Sequence, residues 1–433
     1  MRKLNRHNNI WEHMLLRFDI KARHEFRHFK FFLKWLILAM TIGIICGISG
    51  SAFHYVTTFT ENFFIEHSLL ILLLPISGAI IVAIYRLFHI YNDEGTNSIL
   101  RAARAESDSA LRVAPLIFVS TCLTQICGGS AGREGAALQI GGSVGSFMGR
   151  KLKLSKSEIQ LLVMCGMSAT FCALFGAPLS AALFSIEVAG VGTVFFAGLV
   201  PSVIASIIAM MIAQGLGVHG FDFIHAAAQS YELTNFAKVL LFAAMCAYLS
   251  IIYCSTIHHA MRFYTSVFKN PYVRICAGAF IVILLSLIFH STEYNCAGIP
   301  VIYKALSGEA SPFAFILKLI LTAATIGCGF KGGEIIPTLF IGSTFGCAIA
   351  PFFGLDPVFA AEIGLIAMFC GAVNCPLTSL LLSVELFGCE NFIFFGLAGA
   401  VSYMLSGYYS LYSGQKFMNS KLVPVPFEKS ANK

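Results

Sequence analysis

The chain has 433 residues, 57% of them hydrophobic and 12% charged, with a mean hydropathy of +0.78. A soluble protein carries roughly 25% charged residues, so half that charge cannot coat a soluble fold of this length. A disordered chain, a basic nucleic-acid-binding domain and a secreted disulfide scaffold are excluded, which leaves an all-α polytopic membrane protein.

The formal charge of +7 is concentrated at the start, where residues 1–34 hold nine Lys/Arg and three Asp/Glu. A basic flank ahead of the first apolar stretch predicts a cytoplasmic N-terminus. Arg17, Lys21, Arg23, Arg27 and Lys30 fit a helix lying on anionic lipid. His7, His13, His24 and His28 could sense pH there or be passive. The basic region is too long for a signal peptide and no small-residue cleavage site follows it. Residues 35–56 are therefore read as the first spanning helix.

A helix needs about 20 apolar residues to cross the hydrocarbon core. Residues 35–56, 69–88, 240–253 with both flanks, and 275–289 meet that need. Other apolar runs are short or broken. Residues 114–127 end in Gly128 and Gly129, 159–175 end at Gly176, Ala177 and Pro178, and 179–188 and 377–387 are too short to span. Such breaks are tolerated at membrane depth where they line a cavity, and paired breaks in two halves point to a transporter's site.

The halves repeat. The run from Pro178 to Glu187 matches that from Pro376 to Glu385, 198 residues on, and the block 138–145 matches 339–346, 201 residues on. Two repeats, about 35–220 and 230–415, therefore form one domain. If they span in opposite directions, their short helices meet at mid-membrane. The 14 cysteines include no CxxC pair, and Cys46, Cys122, Cys165, Cys246 and Cys370 sit in apolar runs as core residues. No metal or organic cofactor is indicated.

Four segments could carry chemistry. In the first, Gly128 and Gly129 are followed by Gly132, Arg133, Glu134 and Gly135. Such a glycine-rich loop lets backbone N–H groups approach an anion, and the helix starting near Glu134 adds its positive end. Glu134 could compete with a permeating anion there or simply cap its own helix. The second, Gly329 to Pro337, repeats these ingredients around Gly333 and Glu334, with Pro in the first helical turn. The third, Asp93 to Ile99, reads as a loop opening a short helix with Asn97 or Ser98 as N-cap. The fourth is Tyr408 to Ser413, where aromatics also suit a membrane interface. Glu187 and Glu385 end the two matched short helices, in a structural role as readily as a functional one.

In their order these segments resemble the CLC family of chloride channels and anion/proton antiporters, over about residues 35–415. Gly132-Arg133-Glu134-Gly135 resembles the GREGP motif, and Gly332-Gly333-Glu334-Ile335-Ile336-Pro337 stands where the family has GxFxP. Gly176-Ala177-Pro178-Leu179 and Asn374-Cys375-Pro376-Leu377 resemble its paired NAPL helices. Leu411-Tyr412-Ser413 resembles the segment bearing its central tyrosine. The resemblance implies inverted repeats of about 16–18 tilted or half-spanning helices, a homodimer and no cytoplasmic CBS pair in the short tail 416–433.

Two departures point within the family. Gly95-Thr96-Asn97-Ser98-Ile99 replaces GSGIP, and Glu334 replaces an apolar residue. Both resemble the bacterial fluoride/proton antiporter branch. Val188 stands where chloride/proton exchangers have a second, inner glutamate, which speaks against the chloride exchanger pathway but not against the fluoride branch. Ala136 in place of the proline of GREGP, and Ile336 where that branch has threonine, depart from it. The resemblance implies that Glu134 gates and couples protons and that Glu334 helps move fluoride or its proton. The anion would be bound by Asn97, Ser98, Gly132, Arg133, Gly135, Gly333, Ile335, Ile336 and Tyr412. Fluoride is small and tightly hydrated, so its site must replace water with strong donors such as the Asn97 amide and the Tyr412 hydroxyl. The expected function is fluoride export coupled to proton import across a bacterial inner membrane. Chloride/proton exchange or a passive chloride channel of the same fold is the alternative. An intramembrane serine protease would use Ser49 in Gly47-Ile48-Ser49-Gly50 with His54, His219 or His290, although such patterns also serve close helix packing. A lipid scramblase leaves the two glutamate loops unexplained.

Overall fold

The computed structural model describes residues 4–432 apart from 92, 108, 290, 291, 424 and 425, and the side chains of 4–28 and 426–428 lie outside that description. The four amino-terminal histidines, Arg17, Lys21, Arg23, Arg27 and His290 fall among the residues or side chains not described.

Backbone polar groups must be satisfied internally in lipid, which favours helices. The described residues form sixteen α-helices that pair one to one between the halves. The first half holds α1 (Leu4–Glu66), α2 (Leu74–Leu87), α3 (Thr96–Ala102) and α4 (Val113–Ile126). It continues with α5 (Glu134–Lys151), α6 (Lys156–Phe175), α7 (Pro178–Glu187) and α8 (Leu199–Gly215). Their counterparts are α9 (Leu233–Val267), α10 (Pro271–Ile288), α11 (Ile299–Leu306) and α12 (Ala314–Cys328). The set closes with α13 (Ile335–Phe353), α14 (Pro357–Val373), α15 (Pro376–Phe387) and α16 (Phe392–Leu405). Glu134 opens α5 and Ile335 opens α13, 201 residues on.

The first span differs from the expectation. α1 is one helix with no break at residue 34, and its apolar part runs from Phe29 to Glu66, 38 residues. At 1.5 Å per residue that is about 57 Å, against a hydrocarbon core of about 30 Å. The helix must therefore tilt or project beyond the lipid.

Packing sorts the helices into a centre and a rim. The apolar windows of α6 and α13 are 78% buried, whereas that of α10 is 28% buried and faces outward. The centre is built on glycine. A methyl group on Gly141 would lie 2.0 Å from the Gly166 carbonyl oxygen, and one on Gly342 would lie 2.4 Å from that of Gly364. Thus α5 meets α6, and α13 meets α14, at backbone contact, as small residues allow in membranes. The matched blocks 138–145 and 339–346 supply these contacts.

The short helices show that the halves run in opposite directions. Gly176 (φ 71°) and Asn374 (φ 58°) end α6 and α14 in the left-handed conformation, and Pro178 and Pro376 open α7 and α15. Glu187 at the end of α7 accepts the Leu377 and Thr378 amides at the start of α15, at 3.1 and 2.9 Å, and the Thr378 hydroxyl at 2.6 Å. Glu385 at the end of α15 accepts the Leu179 and Ser180 amides, each at 2.8 Å, and the Ser180 hydroxyl. Each helix caps the other, so the two lie antiparallel.

A small sheet completes the fold. β1 (Gly190–Val191) pairs in parallel with β2 (Lys416–Asn419), which pairs antiparallel with β3 (Pro426–Ser430). The carboxy-terminal segment is thereby tied to the loop after α7. It also reaches the Tyr412 loop, where the Asn432 side chain accepts the Ser410 amide at 3.0 Å and donates to the Ser410 carbonyl at 2.9 Å.

Candidate functional site

The two glutamate loops are joined directly. Gly132 N–H donates to the Gly333 carbonyl at 2.7 Å, and Gly333 N–H to the Gly132 carbonyl at 2.8 Å. A side chain cannot fit at Gly333, where a Cβ would lie 2.7 Å from the Gly135 nitrogen and 2.8 Å from that of Glu134. The bridge brings the N-termini of α5 and α13 together at the centre of the molecule.

Glu134 crosses from one half to the other. Its carboxyl is fully buried, and Oε2 accepts the Arg133 amide at 3.1 Å and the Ile336 amide, in the first turn of α13, at 3.3 Å. It thus sits on the positive end of the opposite half's helix, where an anion would be stabilised. The cap is made across the repeats, and Oε1 has no partner.

Glu334 occupies the N-cap position of α13 without a side-chain capping bond. Its carbonyl accepts the Thr338 hydroxyl at 2.8 Å and the Tyr253 hydroxyl at 3.2 Å, which fixes the backbone, while carboxyl Oε2 is buried and unpartnered. Glu334 lines a cavity of about 710 Å³ together with Asn97, Gln139, His258, Lys331 and Tyr412. The Tyr412 hydroxyl and Gln139 Oε1 are also buried without a partner. Buried polar atoms are nearly always hydrogen-bonded, so four orphaned oxygens around two helix N-termini mark a place for a polar guest.

Asn97 is aimed by its neighbour. Its Oδ1 accepts the Gly414 amide at 2.8 Å, which leaves the two Nδ2 hydrogens as the donating part of the side chain. Lys331 donates to Asp93 at 2.6 Å and lies 4.7 Å from the Tyr85 ring centroid. Arg86, Arg101 and Arg274 line the same cavity with Glu94, to which Arg101 is paired, so the lining carries charges of both signs.

Several expected anion ligands are placed otherwise. Gly95, not Asn97 or Ser98, is the N-cap of α3, and the Ser98 hydroxyl turns back to the Gly95 carbonyl at 2.8 Å. Arg133 donates from Nη1 to Thr57 and Thr58 on α1, each at 3.1 Å, and does not line the cavity. The amides of Gly132 and Gly333 donate to each other's carbonyls, and that of Ile336 donates to Glu134. Gly135 packs against Thr96 and Gly333, and Ile335 and Ile336 are buried in the core. These residues shape the site and hold Glu134, whereas Asn97, Tyr412 and Glu334 face the cavity.

Residues 77–407 match the family model described as voltage gated chloride channel. The chain belongs to the CLC family. It is 29% identical over 395 residues to a chloride/fluoride channel protein of Pseudomonas syringae pv. tomato, spanning 90% of this chain and 87% of that relative. The crystal structure of a CLC-type fluoride/proton antiporter superposes with a TM-score of 0.86 at 30% identity, over 89% of this chain and 98% of that one. A slow cyanobacterial Cl⁻/H⁺ antiporter shares the fold, with a TM-score of 0.76 at 19% identity over 86% and 94% of the two chains.

Other features of this CLC chain escape a linear reading. Gln139 and His258 reach the cavity from α5 and α9, and Tyr253 holds Glu334 from the middle of an apolar run. Val188 caps α7 through its backbone, and its carbonyl accepts Gln415 Nε2 at 2.9 Å. Glu187 beside it is engaged in capping α15. Ser49 donates to the Cys46 carbonyl of its own helix at 3.3 Å, and the flanking Gly47 and Gly50 pack against Ala209 and Ala173. The glycines around Ser49 therefore serve close helix packing.

Proposed function

We propose that this protein exports fluoride in exchange for protons. The observation that carries the reading is Glu134: its carboxylate lies on the α13 N-terminus, with the unpartnered Glu334 and Tyr412 oxygens at the neighbouring cavity. CLC anion/proton antiporters move anions and protons, and this arrangement lets one site serve both. A fluoride ion arriving from the cavity takes donors from Asn97 Nδ2 and the Tyr412 hydroxyl, and displaces the Glu134 carboxylate from the Ile336 amide. The displaced carboxylate, costly at membrane depth by about 3 kcal/mol, takes up a proton. When Glu134 swings back and releases it, Glu334 accepts the proton on the cavity side, a role that Val188 cannot fill. The amide of Asn97 suits fluoride because it donates two directional hydrogen bonds to an ion that gives up a tight water shell.

The relative's name, chloride/fluoride channel protein, and the antiporter structure both support an anion pathway. Proton coupling is read from Glu134 and Glu334 together. Residues 35–415 form the transport domain, with 1–34 as a cytoplasmic flank and 416–433 as a tail. The protein works as a homodimer in a bacterial inner membrane, one pathway per subunit, and transports without acting as an enzyme.

The test is efflux from liposomes loaded with fluoride or chloride, with internal pH recorded simultaneously. Fluoride efflux accompanied by proton uptake, lost in Glu134→Gln, is the expected result. Equal chloride efflux would move the protein to the chloride branch, and efflux without proton movement would make it a channel.

A further inference from the structure

Glu61, on α1, is a buried carboxylate that the exchange cycle above does not use. It lines a second cavity, of about 190 Å³, with Glu293, Asn295, Cys296, Gly298 and Lys304. This cavity lies at the opposite end of the molecule from the one holding Asn97. The start of α10, at Pro271 and Arg274, lines the first cavity, and the loop after the end of α10 lines the second. With the N-terminus in the cytoplasm, the second cavity faces outward.

The floor of this outer cavity is built on the loop that carries Glu134. Asn295 Nδ2 donates to the Gly128 carbonyl at 2.6 Å, and the Ser130 hydroxyl donates to the Tyr294 carbonyl at 3.1 Å. Glu61 is anchored to the same floor, its Oε1 accepting the Gly298 amide at 3.1 Å. One helical turn earlier on the same face, Thr57 receives Arg133 Nη1. The amide of that arginine binds Glu134 Oε2. Arg133 therefore ties the Glu134 loop to the helix that carries Glu61, and its charge acts on both carboxylates. Its Nε and Glu134 Oε1 are buried without partners. The other groups facing Glu61 are Lys318, which donates to the Tyr294 and Cys296 carbonyls at 3.1 and 2.7 Å, and the Cys296 thiol. Glu293 and Lys304 pair at 3.4 Å at the cavity rim.

A carboxylate between an outer cavity and the floor that holds the gating glutamate is placed to pass protons inward. We infer that Glu61 is the outer proton-loading residue of the exchanger, an inference that rests on the proposed proton coupling. A hydronium ion in the cavity gives its proton to the Glu61 carboxylate and leaves water. Glu61 then passes the proton to the Glu134 carboxylate, once anion binding has displaced it, and is itself left ionised. Arg133 and Lys318 place positive charge around this carboxylate and offset part of the cost of burying it.

The decisive variant is Glu61→Gln, which keeps an oxygen for the Gly298 amide but cannot carry a proton. In liposomes with the outer face exposed, fluoride-coupled proton uptake near neutral pH should fall about tenfold. It should recover toward wild type as the outer solution is acidified, because protons then reach Glu134 directly. Glu61→Asp, which retains a titrating carboxyl, should restore most of the neutral-pH rate. Melting temperature and elution volume check that each variant is folded. Unchanged uptake in Glu61→Gln, a loss that acid does not rescue, or Glu61→Asp as slow as Glu61→Gln would each overturn the assignment. If the wild type itself moved no protons, the exchange reading would fail first and this role with it.

Discussion

Replacing Glu187 by Ala removes one of the two mutual caps between α7 and α15. The carboxylate accepts two amides and a hydroxyl, and Glu187 and Thr378 are 5% and 1% exposed. Hydrogen bonds to a charged acceptor contribute about 1.5–3 kcal/mol each, and a buried amide left unpaired costs about 1–3 kcal/mol. Since these terms overlap, a loss of about 3–5 kcal/mol is expected, above the roughly 0.5–2 kcal/mol of an ordinary N-cap. Glu187→Gln, which keeps one good acceptor, should lose about half as much. Equilibrium unfolding in mixed micelles, titrated with a denaturing detergent, measures this difference. The Glu187→Ala, Glu385→Ala double variant tests the geometry further. Both caps hold the same antiparallel pair, so once one is gone the second has less left to hold. The double loss should therefore be smaller than the sum of the singles. A single loss below about 1 kcal/mol, or strict additivity, would refute the reciprocal account.

Three further outcomes follow from the site and its surroundings. Glu334→Ala should slow fluoride exchange in liposomes at least tenfold while leaving the melting temperature near wild type, because its carboxyl Oε2 makes no bond that holds the fold. Gly333→Ala should break the loop bridge, since its Cβ would press on the Gly135 and Glu134 nitrogens; the expected result is loss of both transport and stability, and an active, stable variant would count against the bridge. Arg104 grips Glu106 with two bonds, at 3.0 and 2.8 Å, and Lys416 adds a third contact at 3.1 Å. The Arg104 hydrogen bonds hold the Glu106 carboxyl down to about 2 from its ordinary 4.5. A carboxyl lowered by folding stabilises fully above 4.5 and loses that contribution as pH falls through about 2. The small melting-temperature gap between wild type and Glu106→Gln should therefore close over that window, and a constant gap would rule out the ion pair as its source.

Much of the architecture was legible because membrane helices announce themselves through apolar length, and the repeats through matched blocks. Glu134 and Glu334 stood out because a carboxylate between long apolar runs is expensive. What stayed hidden was direction. A sequence places Ser98 beside Asn97, but only the turn of α3 decides that one hydroxyl folds back on Gly95 while the other side chain faces the cavity. It places Arg133 beside Glu134, yet the arginine reaches Thr57 and Thr58 on α1, 76 and 75 positions away. Gln139 lies inside a matched block, but its partner in the second half is Phe340, so the repeat does not single it out. Glu187 and Glu385 were visible as a pair, but their ambiguity ended only when the antiparallel placement of α7 and α15 put each at the other's start. The unbroken α1 lacked a sequence signal as well, since no proline or glycine marks residue 34 and none is needed for a helix to leave the lipid.

The mutual capping of α7 and α15 also bears on ancestry. Two identical chains, each half this length and inserted in opposite orientations, could make that contact twice, every copy lending its final glutamate to its neighbour and borrowing one in return. Joining them end to end would need no redesign of the join at the centre, only a linker such as the stretch between α8 and α9. A fused chain leaves the two sides free to differ, and the loops do: Arg133 precedes the glutamate in one and Gly333 in the other. The opposed caps remained, since altering one strands the helix that depends on it.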